Sequence, residues 1–162
     1  MSASLKLTLT PVSQDNAANL TRVRVRLTIT TAYGTYNETG STSGSITLDG
    51  VKIANLKGKK VYINQTTTLY DKEHDVAHNA DGRKTVTASA SFDVNTSVRW
   101  ISATAEKELQ RIPRASELSC STIVLGTANA LALTRAVDSY EDEVLFTIGS
   151  KSGTVSSRTA AT

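Results

Sequence analysis

The sequence predicts an all-β protein: an antiparallel β-sandwich, immunoglobulin-like or jelly-roll-like, followed by a second β module. Apolar and polar residues alternate with a period of two in several short segments, which is typical of strands with one buried face. Turn signals rich in Gly, Asn and Asp separate these segments at short intervals. No long segment carries a helical apolar stripe, and Thr, Ser and Val, which suit strands or their exposed faces, are abundant in the 162 residues.

The clearest strand lies near the N-terminus, where apolar residues alternate with arginines. This spacing places the two sets on opposite faces of one strand. The apolar set, expected in the core, is Val23, Val25, Leu27 and Ile29, and the outward set is Arg22, Arg24 and Arg26. The alternating run that precedes it predicts a first strand that ends at Pro11, because proline cannot donate a hydrogen bond to a sheet.

A hairpin turn and two further strands complete the first unit. Asp49-Gly50 predicts a type I′ turn, because both central residues of that turn need a positive φ. Lys84–Val94 alternates cleanly, and Val98–Leu109 is the expected last strand. Trp100 is predicted to anchor the core, since a large indole usually buries most of its area.

Pro113 predicts the end of the first unit. We therefore expect a sandwich domain over residues 1–114 and a second β module over residues 115–162. Three strand candidates follow the boundary, at Ala115–Val124, Asn129–Ala136 and Glu143–Gly149. About 48 residues are too few for a sandwich of about 100 residues. The second module therefore either packs onto the first domain or opens a further domain that is cut short.

Charge and composition argue against several classes of function. The formal net charge is +3 and the basic residues are spread along the chain, so a nucleic-acid partner is not expected. No apolar run is long enough to span a bilayer, so membrane insertion is not expected. Four N-x-S/T motifs are interpreted as chance matches in a chain rich in Asn, Ser and Thr. They begin at Asn19, Asn37, Asn64 and Asn95.

A polar stretch at residues 71–83 holds a cluster of titratable groups. His74 and His78 are four residues apart, as in a helical zinc pair, but the His-Glu-x-x-His pattern is absent and a loop is predicted. Hydrogen bonding within a solvated loop closed by Asp81-Gly82 is the preferred interpretation, and metal binding is the alternative. The sequence has no nucleophile elbow, so the chain is expected to be non-enzymatic and to need no cofactor.

Two features suggest surfaces that bind a partner. The arginine stripe has the chemistry to contact an anionic partner such as a phosphate-bearing polymer, although a solvated outer sheet face is the preferred interpretation. Tyrosines near predicted turns offer rings on which sugars can stack, with one apolar face and a polar tip. The candidate ligand-binding residues are Tyr33, Tyr36, Tyr70, His78 and Asp81.

Two motifs carry a resemblance to a known family. His-Asn-Ala-Asp-Gly-Arg-Lys, within Val76–Val86, leads into an alternating strand, and Ile-Pro-Arg-Ala-Ser lies within Arg111–Ser116. Together they resemble a module found in tail-associated structural proteins of siphophages that infect Gram-positive bacteria. The resemblance covers roughly residues 3–116 well and residues 117–155 more weakly.

This resemblance implies a virion location in the phage tail, with other virion or tail proteins as partners. It also implies host attachment, for which host cell-surface polysaccharide is the expected partner. The alternative function is a carbohydrate-binding module that recognises a bacterial cell-wall glycan. Because unpaired strand edges can form hydrogen bonds with another chain, a symmetric homo-oligomer is also expected.

Overall fold

The structure, a computed structural model, describes residues 2–32, 37–114, 117–120, 131–134, 143–148 and 151–156. All the regular elements in these ranges are β-strands, which confirms the predicted fold class. The chain divides into two compact units, Met1–Asn79 with Arg83–Ile112, and Ala80–Gly82 with Pro113–Thr162. The predicted domain boundary at residue 114 stays a prediction. A search of the described residues finds no helix with the length and apolar character of a membrane span.

Seven strands form the first unit. In chain order they are β1 (Ala3–Asp15), β2 (Leu20–Thr31), β3 (Ser43–Leu48), β4 (Val51–Asn55), β5 (Thr66–Ala77), β6 (Thr85–Asp93) and β7 (Trp100–Glu108). They form two antiparallel sheets with the orders β1-β2-β5 and β4-β3-β6-β7. These orders are immunoglobulin-like, with the fourth strand paired to the third instead of to the fifth.

The inward face of β2 lies at the centre of the core. Its four apolar side chains are fully buried, as predicted, and they belong to one cluster with apolar residues of the opposite sheet. Each such side chain stabilises the fold by about 1.5–3 kcal/mol. The cluster members from β6, also predicted from alternation, are Val86, Ala88, Ala90 and Phe92.

The expectation that Trp100 anchors the core is wrong, because 60% of its surface is exposed. Trp100 is the first residue of edge strand β7, where Ile101, Ala103 and Ala105 occupy the inward positions. Phe92, on the neighbouring strand, is the fully buried aromatic residue instead. The period-two pattern was therefore a better guide to this residue than the size of its side chain.

Two predicted strand limits are also wrong. β1 continues past Pro11 to Asp15, with a register shift between Pro11 and Ser13. β1 is an edge strand, and edges and bulges are the places in a sheet that accommodate proline. Residues 71–77, predicted as a loop, continue β5 because their charged side chains find partners on β2.

Positive φ angles explain the turns and three of the four N-x-S/T motifs. Asp49 and Gly50 have φ values of +47° and +79°, which confirms the predicted type I′ turn. Asn19, Asn64 and Asn95 have φ values of +58°, +53° and +55°. Asparagine tolerates this left-handed conformation better than most residues, so these positions have a structural reason to be asparagine.

The second unit contains two antiparallel strand pairs. β8 (Glu117–Cys120) pairs with β9 (Leu131–Thr134), and β10 (Glu143–Ile148) pairs with β11 (Lys151–Ser156). The first three fall within the predicted strand segments, whose outer residues partly lie outside the described residues. β11 was not predicted, because its mostly polar sequence lacks an apolar alternation.

Two glycine substitutions test the packing of the sheets. A Cβ at Gly44 in β3 would lie 2.3 Å from the Ser91 backbone oxygen, whereas one at Gly50 meets nothing within 4 Å. We expect Gly44→Ala to lower the free energy of unfolding by about 3 kcal/mol or more, because backbone must move. Gly50→Ala should cost about 1–2 kcal/mol, from its positive φ alone. Urea unfolding followed by circular dichroism compares them, and equal costs would contradict the close approach.

Candidate interaction surface at the loop end of the sandwich

The strand connections of the first unit lie at two opposite ends. The described connecting residues 37–42, 56–65 and 94–99 lie at one end, which we call the loop end. The turns at residues 16–19 and 49–50, together with His78, lie at the other end, which we call the turn end. In immunoglobulin-like sandwiches the loops cluster at these two ends, and loops on a rigid scaffold often carry binding residues.

The sequence-predicted site residues do not form one site. Tyr33 and Tyr36 lie outside the described residues. Tyr70 is half-buried on β5, where its hydroxyl lies 2.7 Å from His74 Nε2 and the two rings stack. Partial burial raises the pKa of Tyr70. Because Tyr70 and His78 are eight residues apart on an extended segment, about 26 Å separates them.

His78 lies at the turn end and takes part in hydrogen bonds there. It is 7% exposed, and its Nε2 lies 2.7 Å from the Thr21 hydroxyl. The Asn19 side chain donates to the backbone oxygens of His78 and Asn79, at 3.1 and 3.0 Å. Asp81 follows in the Ala80–Gly82 turn, which groups with the second unit. Ligand binding by these residues stays a prediction.

Of the polar stretch predicted as a loop, residues 71–77 belong to strand β5. Its histidines contact Tyr70 and Thr21, and its aspartates contact arginines. Within the described part of the chain, no group of three or more His, Cys, Asp or Glu side chains is placed to hold a metal ion.

The arginine stripe of β2 pairs with carboxylates of β5 across the outer face of the three-stranded sheet. Arg22 donates to Asp75 through Nε at 2.9 Å and Nη2 at 3.3 Å. Arg24 donates in the same two-pronged way to Asp71, at 2.5 and 2.6 Å. Arg26 Nε lies 3.8 Å from Asp71. We call this set the charge ladder, in which each of the three arginines lies within 3.8 Å of a carboxylate oxygen.

The charge ladder makes stability depend on pH. Hydrogen bonds from Arg24 and Arg22 hold the pKa values of Asp71 and Asp75 below their ordinary range. A carboxyl with a lowered pKa binds fewer protons when folded than when unfolded. Its contribution to the free energy of unfolding is therefore present at pH values above the ordinary pKa of about 3.9. That contribution is lost as pH falls through the pKa of the folded state.

We therefore expect the free energy of unfolding to decrease as pH falls below about 4, and to do so less steeply in Asp71→Asn/Asp75→Asn. The charge-matched control is Glu106→Gln/Glu108→Gln, which changes two exposed carboxylates on β7 and should retain the wild-type acid dependence. Urea unfolding at a series of pH values measures this. Identical acid dependence in the wild type and the aspartate variant would contradict the role of the ladder.

Asn37 joins the three connections of the loop end. Its backbone N–H donates to Val61 O at 2.8 Å and its backbone oxygen accepts from Val61 N–H at 2.9 Å. Its Nδ2 donates to Val94 O at 2.8 Å, and its Oδ1 accepts from the Gly40 N–H at 3.1 Å. Asn37 is 7% exposed. The backbone and side chain of this one buried residue thus link the described segments 37–42, 56–65 and 94–99.

The segment at residues 56–65 is anchored at several positions by burial and by hydrogen bonds. The side chains of Leu56 and Val61 are fully buried. The Leu56 N–H donates to Gly44 O at 2.9 Å, and the Thr42 hydroxyl donates to Lys59 O at 2.6 Å. The Thr31 hydroxyl donates to Tyr62 O at 2.5 Å. These contacts fix the backbone between two strands without a strand ladder.

The outward side chains of this segment are basic, aromatic and apolar. Lys57 and Lys60 are exposed, Lys59 is half-buried, and Tyr62 and Ile63 are 37% and 40% exposed. We call these five residues the lysine–tyrosine loop. The sequence offers no reason to choose these residues over those of other polar turns. The sequence feature that could have indicated a special backbone conformation here is the pair of glycines at positions 40 and 58. In the structure both Gly40 and Gly58 adopt a positive φ.

The sheet orders define the class of this protein as an immunoglobulin-like β-sandwich module, and hydrogen bonds hold the connections at its loop end. The chain belongs to the family described as "Siphovirus protein of unknown function (DUF859)", whose model matches residues 2–162. Comparisons with curated proteins and with solved structures found no match. The resemblance to siphophage proteins is thus confirmed at the level of a siphovirus family, which points to a structural, virion-associated role. The tail association and the roles of the two motifs stay predictions.

Proposed function

We propose that this chain is a non-catalytic structural protein of a siphophage tail and that its loop end contacts the host cell surface. The observation that carries the proposal is the siphovirus family match over residues 2–162. An antiparallel sandwich with short hydrogen-bonded connections supports a structural role, because such a scaffold positions loops rigidly. Other tail proteins are the proposed partners within the virion.

The surface of the first unit supports attachment through the loop end rather than through a sheet face. The outer face of the three-stranded sheet carries the charge ladder, in which basic and acidic groups satisfy each other. The loop end instead presents exposed Tyr62, Ile63 and Trp100. Exposed aromatic side chains supply large contact areas at low entropic cost, and they are enriched where proteins bind partners.

The edges of both sheets support assembly into a homo-oligomer. β1, β5, β4 and β7 each pair on one side only among the described strands. Such edges are templates for contacts with another chain, and a repeated structural protein usually assembles with closed symmetry. The proposed oligomer is a ring or trimer around the tail axis.

The location is tested on purified virions of the phage that encodes this chain. We expect mass spectrometry to detect the chain in virions, and a gold-labelled antibody against it to mark the tail or its tip in electron micrographs. An antibody against the major capsid protein controls for labelling specificity. Absence from virions, or label on the capsid alone, would overturn the proposal.

The second candidate is a carbohydrate-binding module, favoured by the exposure of Tyr62 and Trp100. Stacking on sugar rings suits exposed aromatic faces. We expect the purified chain to bind bacterial glycans on an array, and Tyr62→Ala or Trp100→Ala to weaken that binding about tenfold. The matched control is Val51→Ala, a similarly exposed apolar residue on edge strand β4. No glycan signal at millimolar sugar would leave the structural role alone.

A further inference from the structure

The lysines of the 56–65 segment differ from the arginines of β2 in how their charge is matched. No ion pair joins Lys57, Lys59 or Lys60 to a carboxylate anywhere in the part of the chain that the structure describes. At the loop end, residues 37–42, 56–65 and 94–99 contain these three lysines and Arg99 against one acid, Glu38. Arg99 is itself paired with Asp93 at 3.4 Å.

The lysines are held close together by the contacts that fix the loop. They lie within four consecutive residues, between the buried anchors Leu56 and Val61. Three lysines on one short, fixed stretch of backbone concentrate positive charge at the loop end, and such a concentration attracts anionic ligands. A preformed loop also loses little conformational entropy on binding.

We propose that the lysine–tyrosine loop binds an extended polymer that carries phosphodiester groups on a sugar or polyol backbone. The ammonium group of lysine is a compact point charge suited to phosphate oxygens. Tyr62 and Ile63, next to the lysines, offer apolar contact for the carbon backbone of the polymer. This proposal rests on the proposed function, because it names the chemical class that the loop end would contact.

The arrangement favours this polymer over nucleic acid. Sequence-tolerant binding of single strands uses a basic groove along the backbone together with several aromatic stacking platforms. The lysine–tyrosine loop itself has three lysines and one aromatic side chain, and the arginines of β2 that could extend a basic track already contact carboxylates in the charge ladder. We therefore treat nucleic-acid binding as an outcome of the test.

The test measures binding of the full chain to synthetic poly(glycerol phosphate) by isothermal titration calorimetry at several salt concentrations. We expect Lys57→Gln/Lys59→Gln/Lys60→Gln to weaken binding about tenfold or more and to reduce the slope of log K against log salt by about 2. The charge-matched control is Lys6→Gln/Lys52→Gln/Lys107→Gln, which removes three exposed lysines from strands and should weaken binding less than about twofold. Circular dichroism establishes that each variant is folded.

The aromatic contribution is measured separately. Tyr62→Ala should weaken binding to poly(glycerol phosphate) about fivefold while leaving the salt slope unchanged, because an apolar contact releases no counterions. Neutral dextran of similar length should not compete, and a thymidine oligonucleotide of equal charge should bind at least about tenfold more weakly.

Several results would overturn the inference. They are absence of binding to poly(glycerol phosphate), equal losses in the two triple variants, or equal affinity for the oligonucleotide. The first shows that the chain does not bind this polymer, the second shows that the loop is not the site, and the third shows a general polyanion or nucleic-acid surface. If the chain lies in the tail but fails this test, the proposed structural function stands and only the ligand class is wrong.

Discussion

The burial of one face of β2 is the interaction on which the rest of the structure depends. Val23, Val25, Leu27 and Ile29 have no exposed surface, and their strand lies between β1 and β5. Their alternation turns the intervening arginines outward, where they can meet the carboxylates of β5. It also brings the three-stranded sheet onto the four-stranded sheet, whose strands β3, β4 and β6 adjoin the connections of the loop end. A polar substitution within this row would therefore disturb the core, the charge ladder and the loop end together.

Local alternation accounts for what the sequence predicted well. The inward rows of β2 and β6 and the Asp49-Gly50 turn follow from side-chain period and from the φ values that each residue tolerates. The errors arise where residues that are distant in the sequence determine the local structure. Residues 71–77 have a loop-like composition, but β2 supplies the arginines that make a strand stable there. Trp100 is large enough to anchor a core, but in the alternation of edge strand β7 it occupies an outward position.

The candidate surface was much harder to predict than the fold. Asn37 occurs in the sequence as one more polar residue near a turn, and its importance comes from Val61 and Val94, which are distant in the chain. The same holds for the three lysines, because only the structure shows that the β2 arginines have carboxylate partners and that these lysines have none among the residues it describes. Among the residues chosen from sequence, Tyr70 and His78 instead serve local hydrogen bonds in the sandwich.

The charge ladder has a consequence for how the chain finds its native pairing. An alternating strand that slips by two residues keeps all its apolar side chains on the same side, so hydrophobic burial hardly distinguishes the two alignments. Such a slip between β2 and β5 would leave one arginine of β2 without a carboxylate opposite it. At the other end of the ladder, one carboxylate of β5 would have no arginine opposite it. It would also displace the irregularity between Leu27 and Thr28, where β5 contributes the extra residue Leu69. Charges on a solvated face, individually weak contributors to stability, thereby discriminate against misaligned chains during folding.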